Sequence, residues 1–415
     1  MIFRIILLAI FAIPFVTSIA IEPLIPYSTG DPRLAREIIT NILLCAIAGY
    51  GALTGKTTPI KNKFIIFACF YPIITIPLLP PLIIPYGPFN IVHMWIWKPI
   101  AQGFLYLMAM QTMCYLLKPH RRKEAIMSII SWTGIVMGAF MILQFLGFDQ
   151  FFVLKDFKLI GYTNIRPEMA GTLGNYTLAS ALIAVALTIT ILKKHLKRSI
   201  FLAAVMLLAS SDLALIATIL TTGFMLIYQK RFLILSCLIS LLLLSVIIAY
   251  AINPEIIQKV KNDNGRIGHW AIMLKAWNSP LVSQPVPDDV SAEVAGFVDR
   301  NNKRTYQITG TGGDSYRYLF LMMAKDRGVV KWDRAHNELL EMGLFNHGII
   351  GFFLYLLTFW SLIKRYKDEN RQIAMAVVIC IFFLSLGTFI LHVEPFRIYA
   401  MLMIAILLSP SRDFT

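Results

Sequence analysis

The run Asp333-Arg334-Ala335-His336-Asn337-Glu338-Leu339-Leu340-Glu341 places an imidazole, an amide and several carboxylates within a few helical turns. A hydrophobic segment opening His347-Gly348-Ile349-Ile350-Gly351 follows directly. A neutral imidazole, with an ordinary pKa of about 6.5, can accept a proton from a hydroxyl nucleophile. Glu338 or Glu341 is close enough in sequence to orient the ring of His336. Asp333 is suited to cap a helix whose apolar side is Leu339, Leu340 and Met342, lying along a membrane surface. Taken alone, His336 could equally be a capping or interfacial residue with no chemistry.

Two arginine-headed stretches change that balance. Arg266 opens Arg266-Ile267-Gly268-His269-Trp270-Ala271-Ile272-Met273-Leu274-Lys275-Ala276-Trp277, helical in pattern with aromatic anchors suited to an interface. Arg166 opens Arg166-Pro167-Glu168-Met169-Ala170-Gly171-Thr172-Leu173-Gly174-Asn175, where another apolar segment begins. Guanidinium groups hold phosphate oxygens in bidentate fashion and keep their charge when partly desolvated. Each arginine by itself also fits a solvated loop charge or a lipid headgroup anchor. Several of them around one histidine suit a phosphate leaving group and an attacking hydroxyl.

The elements that must position these groups are hydrophobic. The chain has 57% hydrophobic residues and a mean hydropathy of +0.69, above the roughly 45–50% apolar usage of soluble domains. On the rule that a span needs about 20 mostly apolar residues, the sequence predicts an all-α polytopic membrane protein of twelve transmembrane helices. They fall near 3–21, 37–54, 64–85, 91–117, 125–147, 170–192, 199–210, 212–228, 232–252, 347–363, 372–391 and 395–410. Orientation follows from the basic residues. With the N-terminus cytoplasmic, Lys56, Lys61 and Lys63; Lys118, Arg121, Arg122 and Lys123; Lys193, Lys194, Lys197 and Arg198; Lys230 and Arg231; and Lys364, Arg365, Lys367 and Arg371 all lie inside. Both termini are then cytoplasmic. The net charge of +15 reads as topology, and no nucleic-acid partner is expected.

Three parts follow: 1–252 with spans 1–9, a large outer loop 253–346 carrying the candidate site, and 347–415 with spans 10–12. A second outer segment, 148–169, precedes span 6. The first span lacks a small-residue cleavage site and is expected to be retained; the inner membrane of a bacterium is the expected location. The five cysteines, Cys45, Cys69, Cys114, Cys237 and Cys380, all fall in predicted spans with no disulfide framework or metal-finger spacing. No metal site and no cofactor are expected. Asp288-Asp289 with Glu293 is the nearest acidic cluster and reads as a solvated loop face.

Three stretches carry a resemblance to the O-antigen ligase and polymerase family. Arg166, Gly171, Asn175, Leu178 and Ala179 resemble its Arg…Gly…Asn…Leu-Ala pattern. Arg266 to Pro280 is similar to its Arg-x-x-x-Trp…Pro segment, and His336-Asn337 with Gly348-x-x-Gly351 to its His-Asn…Gly-x-x-Gly signature. The resemblance implies a type C glycosyltransferase-like fold and transfer of a glycan from undecaprenyl diphosphate to an acceptor hydroxyl on the periplasmic face, inverting and without a metal. His336 would position or deprotonate the acceptor, and Arg266 and Arg166 would stabilise the departing diphosphate. Arg334, Arg317, Arg397, Asn337, Asn175 and Trp270 are the substrate-binding candidates. The partners implied are the lipid-linked glycan donor, a glycolipid acceptor such as the lipid A core, and the bilayer itself.

The chain departs from the family pattern in three places. Ten residues separate Asn337 from Gly348, one more than the pattern has, which predicts a bulge or a displaced helix end. Ser210-Ser211-Asp212 stands where many members have a Ser-Arg turn. Gly310-Thr311-Gly312-Gly313 lies about 30 residues later than the usual Gly-rich segment, on a direct count of positions. Ligation to a lipid A core, polymerisation of repeat units and transfer to protein share donor chemistry and differ in acceptor; ligation is the leading expectation. A lipid-linked-oligosaccharide flippase or secondary transporter is a separate class. It would need ionisable residues near the midplane, for which Lys98 beside Trp95 and Trp97 is the main candidate; a lysine reaching for the interface explains it as well.

Overall fold

The computed structural model describes residues 2–16, 32–75, 91–148, 169–209, 211–230, 270, 274, 337–345, 347–388 and 390–410. Among these, every regular element is helical. The α-helices are α1 (Ile2–Ala12), α2 (Pro32–Thr54), α3 (Lys63–Thr75), α4 (Ile91–Leu116), α5 (His120–Phe145), α6 (Tyr176–Leu192), α7 (Leu196–Leu208), α8 (Asp212–Tyr228), α9 (Gly348–Leu362), α10 (Glu369–Ser385) and α11 (Glu394–Leu408). Turns of 3-10 helix, Ile13–Phe15 and Ile390–His392, follow α1 and precede α11, and a π-helix, Leu339–Phe345, precedes α9.

Apart from the ninth, which lies outside the described residues, each predicted hydrophobic segment overlaps a described helix; 17–21 of the first and 76–85 of the third also lie outside the described residues. The bounds differ instructively. Two helical stretches, Ala35–Thr54 and His120–Phe145, are long and apolar enough to cross a membrane; Ile2–Phe15, Tyr176–Leu192, Asp212–Tyr228 and Gly348–Leu362 are apolar but shorter. The sixth segment is helical only from Tyr176, because residues 171–174 form a turn with Gly171 and Gly174 at φ +60° and +70°. The eleventh ends its α-helix at Ser385, and the chain turns before Ile390.

α6 and α10 form the centre. Most residues of each are buried, as expected for helices whose apolar stretches face neighbours on several sides. α6 packs on α5, α7, α8 and α10, and α10 on α8 and α11. α2, α3 and α4 form a neighbouring layer joined through α11 to the centre, with α9 seated on α3. Small residues set the closest crossings: Gly134 of α5 leaves no room for a side chain against Ala186 of α6, and Gly103 of α4 none against the Cys69 carbonyl of α3. Such contacts let helix backbones approach where helix pairing depends on van der Waals fit.

The two ends of the bundle differ. At one end the connections around 62, 119 and 363–368 meet the ends of α8 and α11. Lys123 Nζ lies 3.2 Å from Asp368 Oδ2, Arg371 donates to the Ser409 carbonyl, Asn62 Nδ2 donates to Ser361 Oγ at 2.8 Å, and the Tyr366 N–H donates to Tyr228 Oη at 2.6 Å. Burial raises the Tyr366 phenol above its ordinary pKa, opposed by the Arg371 charge. At the other end Gly171 N donates to Gln144 Oε1 at 2.7 Å. There Arg36 donates to the Val16 carbonyl at 3.0 Å and the Thr172 carbonyl at 2.5 Å, and Thr172 Oγ1 donates to Pro14 O at 2.6 Å.

Candidate functional site

The second end holds a buried polar cluster built from the π-helix, the Ile390–His392 turn and the starts of α11 and α2. Its first component is the segment that follows His336 in sequence. Asn337 is buried, and its Oδ1 accepts the Leu340 N–H at 3.1 Å while its carbonyl accepts the Glu341 N–H at 2.9 Å. The side-chain bond satisfies an N–H group that a helix start otherwise leaves without a partner, and the carbonyl accepts the first intrahelical bond. The cap of the described helical segment is therefore Asn337; the predicted cap, Asp333, lies outside the described residues. The segment runs as π-helix from Leu339 to Phe345. A π-helical turn accommodates an additional residue inside a helix.

The winding sends both carboxylates inward. Glu338 is fully buried and Glu341 is 1% exposed. Glu338 Oε1 accepts the Leu391 N–H at 2.9 Å, and its Oε2 lies 3.8 Å from His392 Nε2. Glu341 Oε1 lies 3.5 Å from the same nitrogen. The π-helix is thus tied to the turn ahead of α11 by one backbone hydrogen bond and one imidazole shared between two carboxylates.

Arg397 forms the next layer. Its Nη1 donates to Glu394 Oε1 at 3.2 Å, and its Nε donates to the Leu391 carbonyl, so Leu391 is held through its N–H by Glu338 and through its carbonyl by Arg397. The guanidinium also lies within electrostatic reach of Tyr106, Glu338 and Glu37, and Glu37 accepts a hydrogen bond from Gln102 Nε2 at 3.2 Å. Consecutive residues of α2 therefore serve different neighbours: Arg36 holds the turn at Thr172, and Glu37 faces the α4 and α11 side. A guanidinium has five N–H donors; the two bonds named above fix the orientation of Arg397.

Asn175 lies at the same end, at the start of α6. Its side chain accepts the Thr177 N–H at 2.8 Å and the Leu178 N–H at 3.4 Å, which is an N-cap. Gly171 fits the same turn. A Cβ there would lie 2.7 Å from Met137 Sδ and 2.9 Å from the Ala179 Cβ, so the Gly and Ala of the quoted pattern touch. The described part of this motif is the turn that carries the chain into α6. Trp270 is helical and partly buried. Arg166, Arg266, Arg317, Arg334 and His336 lie outside the described residues.

No protein-family model matches this chain, and comparison with curated proteins gives no match.

Of the sequence-predicted residues, the described fold brings Asn175, Asn337 and Arg397 to one end of the bundle. It adds Glu37, His392 and Glu394, which the sequence reading did not single out. A signal was present for Glu37, which lies in a segment read as membrane-spanning, where charged side chains are rare and need partners. Glu338 and Glu341 both lie against His392; His336, which either was expected to orient, lies outside the described residues. Among the described residues no group of three or more His, Cys, Asp or Glu side chains is arranged to hold a metal ion.

Proposed function

We propose that this chain is a membrane glycosyltransferase that transfers a glycan from undecaprenyl diphosphate to an acceptor hydroxyl, with the lipid A core as the acceptor and O-antigen ligation as the reaction. The carrying observation is that the residue following His336 caps a helical segment whose buried Glu338 and Glu341 dock on the turn leading into Arg397. Such docking suits a histidine that must be held in one place.

Topology supports the reading. The connections rich in lysine and arginine gather at the end opposite this cluster. The positive-inside rule makes that end cytoplasmic and the cluster periplasmic, in a twelve-span protein of a bacterial inner membrane with both termini inside. Depth supports it too. α9 and α11 have 15 residues each, about 22 Å at 1.5 Å per residue, against about 30 Å for the hydrocarbon core of a bilayer. Starting from the cytoplasmic side, these helices end before the outer surface. The cluster is recessed, where a reaction at a lipid-linked diphosphate is screened from bulk water.

In the proposed reaction His336 takes the proton of the acceptor hydroxyl, and the oxygen attacks the anomeric carbon of the donor. The bond from that carbon to the diphosphate oxygen breaks with inversion, and the electron pair leaves on undecaprenyl diphosphate. Arg266 and Arg166, with Arg334, Arg317 or Arg397, stabilise the departing charge. Trp270, Asn337 and Asn175 border the substrates or position the segments that do.

The test is transfer of a radiolabelled undecaprenyl-diphosphate glycan to a lipid A core acceptor by purified protein, with and without chelator, comparing wild type with His336→Ala. Metal-independent product that vanishes in the variant supports the ligase. Elongation of the donor without transfer to the core replaces it with a polymerase. Absence of both activities returns a transporter to first place.

A further inference from the structure

His392 is the outermost of three titratable groups in the buried cluster. Its side chain is 12% exposed, whereas Glu338 and Glu341 behind it are 0% and 1% exposed. One nitrogen faces both carboxylates: Nε2 lies 3.5 Å from Glu341 Oε1 and 3.8 Å from Glu338 Oε2. A charge-assisted hydrogen bond between such groups is about 2.7–2.9 Å long. At the observed distances the contact is mainly Coulombic, strengthened by the low dielectric of its surroundings, and it needs the imidazolium charge. Loss of the ring proton withdraws that charge from two buried carboxylates at once.

Neighbouring elements do not bring a substitute charge. From α11, Arg397 donates to Glu394 Oε1 and to the Leu391 carbonyl. From α2 and α4, Glu37 and Tyr106 lie within electrostatic reach of that guanidinium, while Arg36 of α2 is turned to the Val16 and Thr172 carbonyls. From α9, Tyr355 is within reach of Glu338, with its hydroxyl 2.9 Å from Ser385 Oγ of α10. Among these groups Arg397 is the permanent cation at the cluster, against the carboxylates of Glu37, Glu338, Glu341 and Glu394. A proton on His392 supplies a second positive charge.

The segment held in this way is π-helical from Leu339 to Phe345, a winding that is rare and depends on its surroundings. Its contact with α9 is close, since a Cβ on Gly343 would lie 3.2 Å from Phe352 Cα. Its tie to the Ile390–His392 turn is polar, through the Leu391 N–H and the His392 ring. We infer that His392 is a proton-operated latch, which as imidazolium clamps Glu338 and Glu341 and holds the π-helix against the start of α11, and which releases the π-helix when it loses its proton. The hold is therefore present at low pH and lost as pH rises. The latch stands on this packing and not on the transferase reading; its consequence for His336, which adjoins Asn337 in sequence, rests on that reading.

The test is hydrogen–deuterium exchange of the full chain in detergent at about pH 5.5 and about pH 8, bracketing the ordinary imidazole pKa of about 6.5, with exchange times scaled for the intrinsic pH dependence. The expected result is several-fold greater protection of residues 337–345 at the lower pH. That ratio falls to about one in His392→Gln and is kept in His195→Gln, whose histidine lies between α6 and α7. Protection of α6 in the same samples checks the fold. Equal protection at the two pH values in the wild type, or a ratio that survives His392→Gln, overturns the latch. If His392→Gln loses protection of α6, Glu341→Gln decides: it removes one of the two charges the imidazolium clamps, so a smaller ratio supports the latch and an unchanged ratio overturns it. Exchange is read without any transfer reaction, so the latch and the transferase reading fail separately.

Discussion

Glu338 Oε1 accepts the Leu391 N–H at 2.9 Å across 53 positions of sequence. The carboxylate is fully buried, so removing it strands a backbone donor in a place water does not reach. Glu338→Ala is expected to cost about 1–3 kcal/mol, read as a lowered midpoint of thermal unfolding in detergent. Glu338→Gln keeps an acceptor at the same position and is expected to lose less. Equal losses in the two variants would show that charge rather than the Leu391 bond is what matters.

His336→Ala is expected to lower transfer by about 10²–10⁴-fold, the usual contribution of a general base, with membrane insertion and unfolding midpoint unchanged. Full transfer by this variant would remove the proposed base even if the donor chemistry stands.

Asn175 separates a structural role from a substrate role. Its side chain caps α6, so Asn175→Ala is expected to cost about 1 kcal/mol and Asn175→Ser, another good capping residue, close to nothing. A Ser variant that is fully stable yet loses transfer would show that the amide also touches substrate.

Glycine positions give a pair of opposite sign. Gly171 sits at φ +60° with Met137 and Ala179 where a Cβ would go, so Gly171→Ala is expected to destabilise by about 1–3 kcal/mol. Gly49, inside α2 with open space around it, is expected to gain about 0.5–1 kcal/mol as alanine. Unfolding midpoints measured side by side check both signs.

At the basic end, Asp368 serves α10 twice, accepting the Asn370 N–H at 3.0 Å as an N-cap and pairing with the largely buried Lys123 at 3.2 Å. Asp368→Asn keeps the capping oxygen and loses the ion pair, whereas Asp368→Ala loses both. The alanine variant is expected to be less stable than the asparagine one by about 1 kcal/mol, measured by thermal unfolding.

The helical content, the places where apolar segments run and the clustering of lysine and arginine in alternate connections were all legible in the sequence. Composition and the length of apolar runs are local properties that the chain carries regardless of how it packs. The π-helical winding of Leu339–Phe345 was not legible in the sequence. Tertiary structure decided the rest. Glu338 and Glu341 meet His392, more than fifty positions away, a partner the sequence reading did not name, because contacts between distant segments depend on which helices pack. Asn175 and Asn337, read as substrate contacts, also have side chains that accept backbone N–H groups at helix starts, a role the sequence reading did not give them. Capping and binding use the same short polar side chain, and only the backbone geometry around it tells them apart. Arg397 and Glu37 lie 360 positions apart in sequence and come within electrostatic reach of each other because α11 packs against both α2 and α4, a pairing that no local pattern encodes.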